Sequence, residues 1–479
     1  MTPRHHGLLP AWGTAALPAP PEFTLRNVLR TVGPGVIGLG VAIGSGEWLL
    51  GPSVLVRYGP TLLWITTVSV LLQVFLNLEM ARYTLYTGEP VITGYMRTWP
   101  GPGFWGWIYG VLSFLQYGWP GWALASATAS AALFLGRLPG QEDAGFVIAL
   151  GYVTFGICVA AVSAGRRIER NVELLMWFMM AWVGLFLLAV DVFTVSARNW
   201  AVLARGMVSF GSLPAGADWL LLGAFAAYSG MGGVGNALVT NWMRDKGFGM
   251  GGTVGYIPAA TGTAVPLAAQ GNVFVVEPGS LRSWSGWWKY LNIDQWGIFG
   301  LGSLAGMFLT TLMTLQHVPP GTEIGGWAVA SLQAEALSGY GALLWQLALL
   351  AGFWVLFSTQ LGFVEGLSRA ITDMLWTGSA RVRRWRRGDV RGVYYSVLLA
   401  FAAWGCVALN LAQPLTLIVI GANMAAFNFV VVSLHTLVVN RRFLPAELRP
   451  SRWREAALVA SALFYGAFVA AAAWAGLRG

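Results

Sequence analysis

Long apolar stretches separated by short polar ones dominate this chain. Eleven of them, at roughly 32–54, 61–85, 104–128, 145–163, 172–196, 219–241, 296–316, 343–367, 393–411, 414–438 and 455–476, are long enough to cross a hydrocarbon core about 30 Å thick. None alternates apolar and polar residues, so the pattern predicts helices and excludes membrane barrel strands. Two stretches carry glycine clusters where a spanning helix should be continuous. The first reads Ala42-Ile43-Gly44-Ser45-Gly46-Glu47-Trp48, and the sixth Ala227-Tyr228-Ser229-Gly230-Met231-Gly232-Gly233-Val234-Gly235-Asn236. Each glycine costs a helix about 1 kcal/mol, and backbone groups freed at membrane depth must line a cavity or pack against protein. We expect breaks near 44–47 and 230–233. Five spans separate one break from the other, the spacing of an inverted five-plus-five repeat whose two breaks meet near the midplane. The competing expectation is two continuous helices with small residues for close packing.

Composition agrees with a polytopic membrane protein: 56% of the 479 residues are hydrophobic, only 10% are charged, and 25 are tryptophan. A soluble domain carries about a quarter charged residues. The net charge of +9 invites a nucleic-acid reading, which the distribution of the basic residues removes. With the N-terminus cytoplasmic, 24 of the 29 fall in cytoplasmic segments, leaving Arg57, Arg137, Arg198, Arg205 and Arg478 outside. This positive-inside bias places Arg384 in the cytoplasm and Gly479 outside. The run from Arg381 to Arg387 is then an anchor for anionic headgroups. Trp284, Trp287, Trp288, Lys289 and Trp296, in a loop expected over 242–295, suit a segment lying in the headgroup region. No cleavable signal peptide is expected, and Cys158 and Cys406, far apart within spans, suggest neither a disulfide nor a thiolate metal site. The expected organisation is an N-terminal tail over 1–31, a core of ten spans over 32–440, and a loop with the eleventh span over 441–479.

Candidate chemistry centres on Glu47, the carboxylate inside the first break. A charge at the bilayer centre costs about 2.5–3.5 kcal/mol on insertion scales, so it calls for a partner or a function. Capping the amides of its own broken helix is the structural alternative. Gln360, Glu365, Arg369 and Asp373 form a cluster at the inner end of the eighth stretch, where Glu365 and Arg369 can pair across one turn. His435, near the inner end of the tenth, is a candidate for a proton path or simply a hydrogen-bonded histidine.

The chain resembles the Nramp family of divalent metal transporters. The resemblance rests on Gly33-Pro34-Gly35 before the first break, Gly59-Pro60-Thr61-Leu62-Leu63-Trp64 opening the second span, Leu72-Gln73 and Thr87-Gly88-Glu89 within and after it, and Asn236 through Asn241 after the second break. It covers about 30 to 440, and implies a LeuT-like five-plus-five repeat with an eleventh helix. The family's Asp-Pro-Gly-Asn corresponds here to Gly44-Ser45-Gly46-Glu47, and its Met-Pro-His to Gly233-Val234-Gly235. One carboxylate is kept but shifted, while the thioether ligand and the histidine associated with proton movement are lost. Met231 lies two positions earlier. The third span, Gln116-Tyr117-Gly118-Trp119-Pro120, carries none of the acidic residues of the family's proton path.

Carboxylate, carbonyl and water suit hard cations, and a missing thioether lowers discrimination against them. The expected site therefore comprises Gly44, Ser45, Glu47 as metal ligand, Gly230, Gly233 and Asn423, holding a largely hydrated magnesium or manganese ion as cargo rather than cofactor. The expected protein is an all-α integral protein of a bacterial-type plasma membrane, moving a divalent cation by alternating access, with no nucleic-acid partner and its oligomeric state open. One alternative on the same fold is transport of a small organic cation or amino acid, with Glu47 as counter-ion or proton carrier and Trp48, Trp119 and Tyr228 lining the pocket. A transport-inactive sensor is another. An enzyme is the least favoured class, since no nucleophile and base pair is evident.

Overall fold

The computed structural model describes residues 6–164, 167–260, 262, 265–385 and 388–477. The sidedness expected for Arg4, Arg166, Arg386, Arg387, Arg478 and Gly479 concerns positions outside these residues.

Among the described residues nine helices are long and apolar enough to cross a membrane: Pro34–Tyr58, Pro60–Thr87, Gln141–Ser163, Ile168–Thr194, Pro278–His317, Ala342–Gly378, Val390–Ala408, Pro414–Phe443 and Arg452–Gly476. Two further crossings are each assembled from paired shorter helices, Pro102–Tyr117 with Gly121–Leu135 and Trp219–Tyr228 with Val234–Lys246. The third span is thus interrupted, contrary to its reading as a continuous stretch over 104–128. Pro120 has no amide hydrogen to continue the ladder, and the helix stops at Tyr117 and restarts at Gly121.

Both glycine clusters interrupt their helices. In the first span the helix ends at Ala42 and resumes through a wide π-type turn over Gly46–Leu50. In the sixth it ends at Tyr228 and resumes at Val234, with Gly232 and Gly233 at φ of +74° and +44°. Side chains are disfavoured at such angles, so glycine permits this chain path. The first span is the most enclosed of the nine, 89% buried over its most apolar window against 28% for the last. Its core position is therefore a matter of packing, since the last span is the more apolar of the two and the less enclosed.

The tryptophan-rich segment is not a loop. Pro278–Asn292 is helical and runs directly into the seventh span, so Trp284 and Trp287 are buried. Trp287 Nε1 donates to the Pro18 carbonyl (2.8 Å) and the Tyr290 hydroxyl to that of Glu22 (2.9 Å). These bonds hold the N-terminal segment against the helix Pro278–Asn292. A two-residue parallel pairing of Gly13–Thr14 with Asn272–Val273 fixes it further.

Candidate functional site

The two breaks touch. A β-carbon on Gly46 would lie 2.6 Å from the carbonyl carbon of Tyr228 and closer still to its oxygen, so only glycine permits this approach. Beside the contact is a narrow crevice with no room for a water molecule, bounded by Ser45 and Gly46 of the first break and Tyr228 and Gly230 of the second. Trp122 of the third span and Thr359 and Phe363 of the eighth complete the wall. The rings enclose it: Trp122 and Phe363 have centroids 4.8 Å apart, Trp122 and Tyr228 5.7 Å. Trp122 Nε1 donates to Ser45 Oγ (2.9 Å), and Thr359 Oγ1 donates to the Val41 carbonyl (3.1 Å) at the end of the first half-helix. The polar capacity of the wall is thus hydroxyl and backbone, with no carboxylate.

Glu47 is fully buried but does not line this space. Its Oε2 accepts a hydrogen bond from the Gly44 amide (3.0 Å), the geometry of a side chain capping its own resumed helix. Its Oε1 is buried without a hydrogen-bond partner among the described residues. Next to it, Trp48 Nε1 donates to the Ala330 carbonyl (3.0 Å), and Gln333 Nε2 donates to the Trp48 carbonyl (2.5 Å). The connection between spans seven and eight therefore seals the site from one side.

On the other side, the resumed sixth span is fastened by buried charges. Arg244 binds Asp373 (2.6 Å) and Asp245 (2.7 Å), Arg369 binds Glu365 and Asp245, and Lys246 binds Glu173. The Glu365 and Arg369 pair is fully buried within the protein, because the sixth span packs over it.

The freed backbone of the second break is satisfied by side chains, as burial requires. Gln73 Oε1 accepts from the Met231 amide (2.9 Å) and from Asn236 Nδ2 (3.2 Å). The Tyr117 hydroxyl donates to the carbonyls of Met231 (2.8 Å) and Gly232 (2.7 Å), and Gln116 Nε2 to Gly232 (2.6 Å). Asn428 Nδ2 donates to Gln116 Oε1 (2.7 Å). Asn236 continues the chain through Asn77 (2.9 Å) to Gln295 (2.8 Å) and Asp294 (2.8 Å). Ser69, Gln73 and Asn77, four apart on one helix face, were a readable polar stripe in the second span.

Of the expected site residues, Ser45 and Gly230 line the space, Gly44 and Glu47 adjoin it, and three lie elsewhere. Gly233 packs against the tenth span, where a β-carbon would meet Asn428 Cβ at 2.6 Å and the Ala425 carbonyl oxygen at 2.8 Å. Asn423 turns back on its own helix, donating to the Val419 carbonyl (2.9 Å). His435 sits between Thr98 (2.8 Å) and Tyr109 (2.8 Å), with Tyr95 stacked on it, away from the breaks. Met231 presents its sulfur to Gly38 of the first half-helix. Among the expected aromatics only Tyr228 faces the space. Trp48 is bound to Ala330, and Trp119 packs against Phe114 and Trp404. Asp294 was missed because the seventh span was expected to begin at 296; its helix begins at Pro278, and the carboxylate is buried.

Among the described residues no three His, Cys, Asp or Glu side chains gather as a metal-binding group. A cation at the breaks would have Glu47 Oε1, hydroxyls, backbone carbonyls and its own waters as donors, a set compatible only with a hard ion.

Broken first and sixth spans, five crossings apart and in contact at their breaks, define an all-α polytopic membrane protein with the LeuT-like inverted five-plus-five repeat and an eleventh helix. Solved structures share this architecture. A substituted form of the Eremococcus coleocola manganese transporter superposes with a TM-score of 0.64 at 14% identity, covering 96% of this chain and 88% of that one. A second substituted form gives 0.62 with the same identity and coverage. MhsT in complex with L-phenylalanine gives 0.51 at 12% identity, covering 92% and 98%. At these identities the likeness is one of fold. No family model and no curated protein matches the chain.

Proposed function

We propose that this chain is a secondary transporter working by alternating access, and that its cargo is a small organic solute with an aromatic or aliphatic portion. The wall around the breaks carries this reading: Trp122, Tyr228 and Phe363 surround the space, and no carboxylate faces it. Aromatic rings reward an apolar or cationic guest, whereas a divalent ion needs anionic oxygen. Hydroxyls of Ser45 and Thr359 would orient the guest's polar end. The space is closed on both sides, by Gln333 and Ala330 on one and by the Arg244, Asp245, Arg369 and Asp373 cluster on the other. Transport would release one closure at a time, with the rings parting to admit the solute. By the positive-inside bias the buried charged cluster would lie toward the cytoplasmic side, the side of the N-terminus. Labelling of Arg384→Cys from the cytoplasmic side alone is the expected result; labelling from outside reverses the topology.

One observation keeps the divalent cation as a second reading, and with it the relation to the Nramp family. Glu47 Oε1 is buried and unpartnered, an arrangement that a cation would relieve. Uptake into proteoliposomes separates the two. Amino acids, aromatic amines and nucleobases are tested beside magnesium and manganese, with and without a pH gradient. Saturable uptake of an organic solute, weakened in Trp122→Ala, is expected. Saturable uptake of manganese or magnesium, with no organic solute moved, overturns the organic-solute reading.

A further inference from the structure

A second concavity lies far from the breaks, between the first half of the third span, Pro102–Tyr117, and the last turns of the eighth, which ends at Gly378. It holds about 570 Å³. One wall is the helix face of Gly103, Gly106 and Gly110; the other is Ile371, Met374 and Leu375. A β-carbon at Gly103 or Gly110 would meet nothing within 4 Å, so the chain's own packing does not demand glycine there. What the missing side chains leave is an open trough lined almost entirely by apolar groups. Trp107, 75% exposed, stands beside it.

Its dimensions and its mouth both point to one occupant. From Gly103 to Phe114 the helix rises about 17 Å, close to half of a hydrocarbon core about 30 Å thick. That is the depth reached by the acyl chain of one leaflet. The trough ends at Gly378 and Ser379, directly before the short helix Ala380–Trp385. Arg383 of that helix folds back onto the carbonyls of Trp376 and Thr377. Arg381 and Arg384 are exposed and form no ion pair among the described residues. Two exposed arginines, two and five residues beyond Ser379 where the apolar trough ends, complement an anionic headgroup carrying a hydrocarbon chain. We propose that this trough binds one acyl chain of an anionic phospholipid, with its phosphate held by Arg381 and Arg384.

The test uses the full chain, delipidated in detergent and titrated with phosphatidylglycerol or phosphatidylcholine, with bound lipid counted by native mass spectrometry. Phosphatidylglycerol is expected to bind at one tight site and phosphatidylcholine much more weakly. Each basic residue near an anionic headgroup is worth about fivefold in binding, so Arg381→Ala with Arg384→Ala should weaken phosphatidylglycerol about 30-fold. Gly110→Leu starts from a β-carbon in open space, projects into the trough and improves helix propensity. It should keep the parent's melting temperature in lipid-free detergent and lose the tight lipid. Equal binding of the two lipids, or retention of the tight site in Gly110→Leu, overturns the proposal. So does unchanged phosphatidylglycerol binding in the variant carrying Arg381→Ala with Arg384→Ala. If Gly110→Leu instead converts a dimer to a monomer in light scattering, the trough is a contact between copies, and the lipid assignment is wrong.

Discussion

Substituting Gly46 by alanine tests whether contact between the two breaks organises this protein. The added methyl would stand 2.6 Å from the carbonyl carbon of Tyr228 and 3.3 Å from the amide nitrogen of Ser229. Carbon atoms pack comfortably at about 3.5–4.0 Å. The obstacle is backbone on both sides, so no rotamer change relieves it. Either the second break moves away or the wide turn over Gly46–Leu50 shifts, and overpacking of this kind costs about 1–3 kcal/mol. The closed conformation would bear that cost most, because there the breaks are in contact and Trp122, Tyr228 and Phe363 close over them. Gly184→Ala is the control: it lies in the fifth span with nothing within 4 Å of its β-carbon, and alanine is the better helix former. Purified variants would be compared by thermal unfolding in detergent and by uptake in proteoliposomes. Gly184→Ala should match or slightly exceed the parent in both, while Gly46→Ala unfolds at lower temperature and transports at a small fraction of the parent rate. A Gly46→Ala protein with parental stability and uptake would refute the contact as the organising feature.

Glu47→Gln keeps an acceptor for the Gly44 amide and removes a buried ionisable group, so organic-solute uptake should stay within about threefold and stability should not fall. A loss of uptake with the fold intact would give the carboxylate a transport role and revive the cation reading. Gly233→Met, attractive from sequence as a restored thioether ligand, should instead destabilise the protein by about 1–3 kcal/mol in thermal unfolding. Its φ is +44° and the tenth span occupies its side-chain volume, so a folded variant with improved manganese response would contradict the packing. Glu89 lies in the connection between spans two and three. Burial would raise its carboxyl, but the charge and bonds of Arg97 (2.5 and 2.8 Å), with bonds from Tyr83 (2.5 Å) and the Gly271 amide (2.8 Å), hold it below the ordinary value. Its contribution is therefore complete above the ordinary carboxylate range and lost as pH falls through the lowered folded value. Glu89→Gln should lower stability at neutral pH by about 3–5 kcal/mol, by leaving Arg97 buried and unpaired. Melting curves of parent and variant should converge toward acid, and a gap that is constant with pH would exclude the linkage.

Local signals carried the architecture. The spans are legible because burial in lipid demands unbroken apolar length, and the breaks at Gly44 to Gly46 and Gly230 to Gly233 because glycine penalises a helix wherever it sits. Glu47 stood out because a carboxylate at depth is costly in any fold. Which way each span is rotated was not legible. A helix apolar all round offers no polar face to mark its outside, so nothing local told that Trp122 and Phe363 would meet Tyr228 while Trp48 and Trp119 turned away. Asn423 and His435 were placed by their span alone, and neighbouring helices supplied them with partners elsewhere. The contact of Gly46 with Tyr228, the burial of Asp294 and the fastening of Arg369 to Asp245 depend on residues far apart in the chain. Only packing brings these together, because each satisfies a group that another span has desolvated.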